Sequence, residues 1–176
     1  MTIAIHIVAL EDLPFEPGSD ETEETVSIES EPDEEALADG ESDPFGWIDL
    51  RDLPDGLARL IDGDEIVLRV GQASLVISYP LEVMAVRSIA AANGEAFTRA
   101  ELVALIHETY KEIYRLEDET QSTPTPTISE RGQIINRPAS DGTFGISMHD
   151  FEDLGISGID VYRVDGRVWL DPVMES

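Results

Sequence analysis

The most compact set of side chains able to move a proton or hold a metal is His149-Asp150, with Asp153 three residues further on. A histidine beside a carboxylate titrates near neutral pH, so this pair could serve a small hydrolase as acid and base. The plainer reading of the same residues is a short helical turn. Asp150 and Asp153 would then cap and solvate it while His149 packs or points outward. His107-Glu108 opens like the helix of a zinc protease, but Lys111 stands where that motif needs its second histidine, so a solvated helix face is expected. His6 sits in an alternating strand pattern and is expected to be structural. The chain has no cysteine, hence no disulfide, thiol nucleophile or thiolate-bound metal, and it contains no Gly-x-Ser-x-Gly, Walker or Gly-x-Gly-x-x-Gly motif. These readings lead to an expectation of no enzymatic activity, no cofactor and no metal.

Charge gives a stronger signal than any of these groups. Between Glu16 and Asp43, thirteen of twenty-eight residues are Asp or Glu and none is Lys or Arg, so this segment carries nearly half of the formal charge of −27. Such a stretch offers little apolar surface to offset the entropy of ordering it, so residues 11–44 are expected to form a disordered acidic arm. Within it, Val26-Ser27-Ile28 lies between Glu23, Glu24, Glu29 and Glu31, followed by Asp33, Glu34 and Glu35. An aliphatic pair in an acidic run resembles a ubiquitin-like-modifier interaction motif, which adds a strand to a basic sheet edge; the plainer role is charge alone. Ser30-Glu31-Pro32-Asp33 is a candidate for phosphorylation by an acidophilic kinase.

The remaining residues are still acidic, and of eleven basic residues only Lys111 is a lysine. That bias fits a GC-rich genome or adaptation to high salt. A surface this negative repels phosphate backbones, so a basic protein is the expected partner and direct nucleic-acid binding is not. Met1 to Leu10 is apolar but lacks a basic n-region, and no apolar run reaches the roughly 18 residues of a membrane helix. The expectation is a soluble, intracellular protein without membrane contact.

With 176 residues, 41% of them apolar, the chain can build one core. Ile3, Ile5 and Ile7 alternate with Ala4, His6 and Val8, which places an N-terminal strand in residues 1–10. A single α+β domain is expected over residues 45–176. Asp52, Pro54 and Gly63 bracket a short helix. A turn at Gly71-Gln72 would fold Glu65 to Ser78 into a hairpin with Leu68 opposite Leu75. Pro80 would open a helix through Leu81, Val83, Met84, Val86 and Ile89, closed by Asn93-Gly94. Thr98-Arg99-Ala100-Glu101 is a capping box for a longer helix carrying Leu102, Ile106, Tyr110, Ile113 and Leu116. Tyr110, Tyr114 and Arg115 on that helix could form a binding strip, although the apolar spacing favours the core for Tyr110.

Residues 121–138, rich in Ser, Thr and Pro, read as a mobile loop. Thr143 to Met148 reads as a strand. Ile159 to Asp171 reads as a hairpin around Asp165-Gly166, with Tyr162 facing Trp169 and Val161 facing Leu170. The assembled expectation is a small, mainly antiparallel sheet of two hairpins and the N-terminal strand, with two main helices on one face.

From Pro80 onward the order of features resembles a family of uncharacterised proteins encoded by large nucleocytoplasmic DNA viruses and some of their protist hosts. The residues carrying this are Phe97-Thr98-Arg99-Ala100-Glu101-Leu102 with Tyr110 and Tyr114, the Ser/Thr/Pro loop, Gly145 to Leu154, and the closing hairpin. The resemblance implies a viral or host-interaction role and no catalytic residue. Function therefore reads as a non-enzymatic acidic interaction protein whose arm recruits a basic partner. The alternatives are a structural or accessory protein of a virus particle and a small hydrolase using His149 and Asp150.

Overall fold

The structure, a computed structural model, describes residues 3–19, 22–132 and 136–176. Met1, Thr2, Asp20, Glu21 and residues 133–135 lie outside the described residues, and with them the first residues of the expected N-terminal strand, two acids of the expected arm and part of the expected loop.

The long hairpin forms in the register read from its side chains. β8 (Gly155–Val164) and β9 (Arg167–Glu175) pair antiparallel with Tyr162 opposite Trp169 and Val161 opposite Leu170. Asp165 and Gly166 both take positive φ, 52° and 76°, the geometry of a primed two-residue turn that keeps the strands in twist. The capped helix also forms: α3 (Arg99–Thr120) starts at Thr98, whose side chain accepts the Glu101 N–H. It buries Leu102, Ile106, Tyr110 and Ile113 against Leu75, Ile77, Ile89 and Leu170 of the sheet. The short helix α2 (Leu53–Arg59) is capped by Asp52 with Pro54 in its first turn.

Other elements depart from the local signals. The segment after Pro80 is not a helix but β6 (Met84–Ala90), paired with β5 (Gln72–Ile77) from Gln72·Ala90 to Ile77·Ala85 and with the edge strand β1 (His6–Val8). Its alternation was hidden because an arginine stands at an inward position. Between Ala85 and Ile89, Arg87 points at α3, donating to Thr109 Oγ1 at 2.8 Å and pairing with Glu108 at 2.7 Å. The Gly71-Gln72 turn does not close a hairpin either. A side chain at Gly71 would place its Cβ 2.2 Å from the Gly94 carbonyl oxygen, so the chain crosses that loop here. β4 (Ile66–Leu68) leaves to pair with β7 (Phe97–Thr98). β5 continues into the main sheet, where it meets β9 in parallel at Ser74·Trp169 and Leu75·Leu170. The main sheet therefore runs β1-β6-β5-β9-β8, with β2 (Glu24–Ser27) and β3 (Ile48–Asp49) end to end along the far edge of β8. The α+β class holds, while the sheet is mixed and three helices stand where two main ones were expected.

Thr143 to Met148 forms no strand because a side chain takes its amides. Glu117, buried at the end of α3, accepts the N–H groups of Gly142 at 3.0 Å and Phe144 at 2.6 Å and the Ser140 hydroxyl. This satisfies the backbone where a ladder would otherwise be needed.

The outer face of the sheet is covered by residues 10–19, the start of the expected arm. Phe15 stacks on Tyr162 with ring centroids 4.1 Å apart, Leu13 is buried, and the Gly18 N–H donates to Asp171 Oδ2 at 2.9 Å. Burial pushes the Asp171 carboxyl up to about 6, with the cross-strand Asp160 adding to the rise and the Gly18 bond opposing it. A group that holds its proton more tightly folded than unfolded stabilises the fold below its unfolded pKa, and that contribution fades as pH rises through the folded value. Asp171→Asn removes the titration and keeps an acceptor for Gly18. Urea unfolding should show the variant gaining on the parent protein as pH rises from about 4 to about 7, by up to roughly 3 kcal/mol in all. A pH-independent difference would contradict this.

Candidate functional site

The acidic segment is part of the sheet. In β2, Glu24 to Ser27 pair antiparallel with Val161 to Gly158 of β8, and the Ile28 N–H donates to the Ser157 carbonyl at 2.9 Å. Val26 and Ile28, two residues apart, point into the core and are 5% and 0% exposed. They are not available to add a strand to another protein, because they already supply that strand to this one. Pairing continues beyond them. The Glu31 N–H donates to the Arg59 carbonyl, the Ile61 N–H to the Glu29 carbonyl, and Ser30 and Phe45 exchange backbone bonds. The Ser30 hydroxyl is buried and donates to the Trp47 carbonyl at 3.2 Å, so the expected phosphorylation site is closed. Asp33 then caps α1 (Glu34–Ala38) by accepting the Ala36 N–H at 2.9 Å.

This correction to the disordered arm has a physical basis. Composition averages over the segment, whereas folding needs only that apolar side chains fall every second residue beside an open strand edge. Ordering fixes the carboxylates outward. Glu23, Glu24, Glu29, Glu31, Glu34 and Glu35 are all exposed. Glu23 and Glu24 sit across from Arg163 at 3.3 and 3.5 Å, whereas Glu29, Glu31, Glu34 and Glu35 have no ion-pair partner among the described residues. The nearest arginines serve the main chain instead. Arg59 donates to the Glu31 carbonyl at 2.6 Å and Arg99 to the Ser27 carbonyl at 3.1 Å, while their ion pairs go to Asp55 and Glu65. The result is a set of exposed carboxylates held on paired or capped backbone, four of them without an ion-pair partner among the described residues.

The His149-Asp150 pair is brought into a different arrangement from a catalytic one. Asp150 is buried and clamped by Arg131, whose guanidinium bonds both carboxylate oxygens at 2.6 and 2.8 Å, and by Arg137 at 3.4 Å. The Arg131 bonds hold its carboxyl below the usual range; burial opposes them, and Arg137 adds to the lowering. A carboxylate so engaged is a weak base. Asp153 accepts the Asp150 N–H, capping the turn Phe151–Asp153. The His149 ring lies 5.5 Å from Tyr79, and its carbonyl accepts the Tyr114 hydroxyl. Arg137 also sits over the Tyr114 ring at 5.3 Å and reaches Asp118 at 3.3 Å.

These contacts, Arg131 to Asp150 and Arg137 to Asp150, Tyr114 and Asp118, tie the described part of the Ser/Thr/Pro segment to α3 and to the turn that precedes β8. Arg131 and Arg137, two of only ten arginines in the chain, were the overlooked signal, since placing them in a polar loop leaves buried carboxylates as their natural partners. Tyr110 and Tyr114 are buried and Arg115 pairs with Glu112 and Glu119, so no binding strip forms on α3. His107 packs edge-on to Phe151, and burial lowers its pKa. His6 is exposed on edge strand β1.

Among the described residues, no group of three or more His, Asp or Glu side chains is arranged to hold a metal ion, and no helix is long and apolar enough to cross a membrane. Comparison with protein-family models, with curated proteins and with solved structures found no match for this chain.

Removing the Asp150 carboxylate takes away the charged partner shared by two arginines whose side chains are 4% and 6% exposed. Asp150→Ala should cost roughly 3–5 kcal/mol in urea unfolding, as expected when one partner of a buried ion pair is deleted. Cleavage by a protease within residues 122–132 should accelerate in the same variant. A loss under about 1 kcal/mol would show that the clamp contributes little.

Proposed function

We propose that this chain is a non-enzymatic interaction protein whose ordered acidic face recruits a basic protein partner. The observation that supports the reading best is the set Glu29, Glu31, Glu34 and Glu35, held on paired or capped backbone, exposed, and without cationic partners among the described residues. Neutralising these side chains would be simple for a fold that spends arginines on the adjacent carbonyls, and it does not do so. Uncompensated like charge on a fixed surface costs folding energy, so its retention fits a role in binding.

Fixed carboxylates recognise a basic partner differently from a tail. The field that steers encounter is the same, but the spacing of charges is set before contact, so less entropy is lost on binding. Val26 and Ile28 act as anchors behind the face and Asp33 as the cap that orients α1.

The test is a fluorescence-anisotropy titration of a labelled arginine-rich peptide with the full chain in steps of salt. Apparent affinity should fall at least about tenfold between about 50 and 200 mM salt, since surface charge pairs are screened over roughly 8–10 Å. A protein with Glu29, Glu31, Glu34 and Glu35 all changed to Gln should lose most of the salt-dependent part. A salt-insensitive affinity, or one unchanged in the Gln variant, would overturn the reading.

A further inference from the structure

The largest of five described surface clefts, about 630 Å³, opens where β5 and β9 diverge. Their parallel pairing covers only Ser74·Trp169 and Leu75·Leu170; ahead of those residues the strands splay apart, and the gap is walled by Gly166-Arg167 and floored by β5 and β6. Gln72·Ala90 and Ser74·Ser88 are direct cross-strand pairs, so Gln72, Ser74, Ser88 and Ala90 share one sheet face. It is the face on which Phe15 packs, and the covering segment meets Tyr162 and Trp169, leaving Ser88 and Ala90 exposed beyond them.

Two observations distinguish this cleft. It has no Asp or Glu in its lining, whereas each of the other four has at least one, in a chain where 38 of 176 residues are acidic. Its one charged lining residue, Arg167, is also unengaged. Eight of the eleven basic residues form ion pairs, and Arg167 has neither an ion pair nor a side-chain hydrogen bond among the described residues. The side chains of Gln72, Ser74 and Ser88 likewise have no hydrogen-bond partner among the described residues. A concave site of this size with several convergent, unused polar groups has the form of a small-ligand site.

We infer that this cleft binds a small organic anion, with a carboxylate or phosphate on Arg167 and a hydroxyl- or amide-bearing body over Gln72, Ser74 and Ser88. Arginine matches either head group with two parallel N–H donors, and the serine hydroxyls both donate and accept. Elsewhere the acidic surface repels anions, so a localised response to one is informative. This site lies apart from the acidic face and does not depend on the role proposed for it.

The experiment is a ¹H–¹⁵N NMR titration of the full chain with 3-phosphoglycerate, inorganic phosphate and malate in parallel, each against sodium chloride at matched ionic strength. Saturable shifts at Gln72, Ser74, Ser88, Gly166 and Arg167 are expected with at least one of the three, and the better probe identifies the preferred head group. Arg167 is exposed beside a turn, so Arg167→Gln should leave the remaining spectrum unchanged while weakening binding by about tenfold or more, the loss of one charge-assisted contact. Ser74→Ala with Ser88→Ala should weaken 3-phosphoglycerate more than inorganic phosphate. No saturable shift with any probe, shifts spread over the paired arginines, or binding unaltered in Arg167→Gln would overturn the inference.

Discussion

The burial of Val26 and Ile28 against β8 is the interaction on which the character of this molecule depends. Without it, residues 22–43 would be a polyanion tethered to a small domain. With it, Glu24–Ser27 become an edge strand of the sheet, followed by the capped helix Glu34–Ala38. Each side chain, removed from water, contributes on the order of 1.5–3 kcal/mol, while ordering each residue of the strand costs about 1–2 kcal/mol. Two anchors alone would be marginal, so the added contacts matter: backbone bonds to Val161, Ser157 and Arg59, and the arginines that bridge to the Glu31 and Ser27 carbonyls.

The same structure separates charge into distinct surroundings. Exposed glutamates line the β2–α1 edge. Asp150 is locked between two arginines, Glu117 is folded over by the amides of Gly142 and Phe144, and Asp171 is buried with one backbone donor. Four kinds of carboxylate thus do four things: face solvent, tie a loop to a helix, replace a strand ladder, and respond to pH beneath the segment that covers the outer sheet face. Opposite in sign to most of the surface is the Arg167 cleft, where a cation stands without a carboxylate in the lining. A net charge of −27 describes none of these arrangements.

What was legible in the chain was what neighbouring residues decide. Thr98 with Glu101, Asp52 with Pro54, and Asp165-Gly166 between alternating strands each specify an element through contacts a few residues apart, and all three formed. What was not legible depended on distant partners. Arg87 breaks the alternation of β6 and makes it look helical, because its charge is answered by Glu108 of α3. Gly71 reads as a turn until Gly94 is seen lying across it. Phe144 and Ile146 carry a strand-like pattern, yet Glu117 takes their amides. The acidic segment was misread most fully, since its charge density obscured an aliphatic pair at strand spacing whose open edge lies more than a hundred residues away in β8. For the candidate site, the charged residues were visible from the start, while their fixed outward orientation was not.

Native-state hydrogen exchange on the amides of Glu23, Ile28 and Glu31 tests most directly whether the acidic face is built into the fold, since these donate to Val161, Ser157 and Arg59. Protection approaching that of β8 and β9 is expected at all three. Exchange there at unstructured-chain rates, with β8 still protected, would contradict the ordered face and return the segment to a tail.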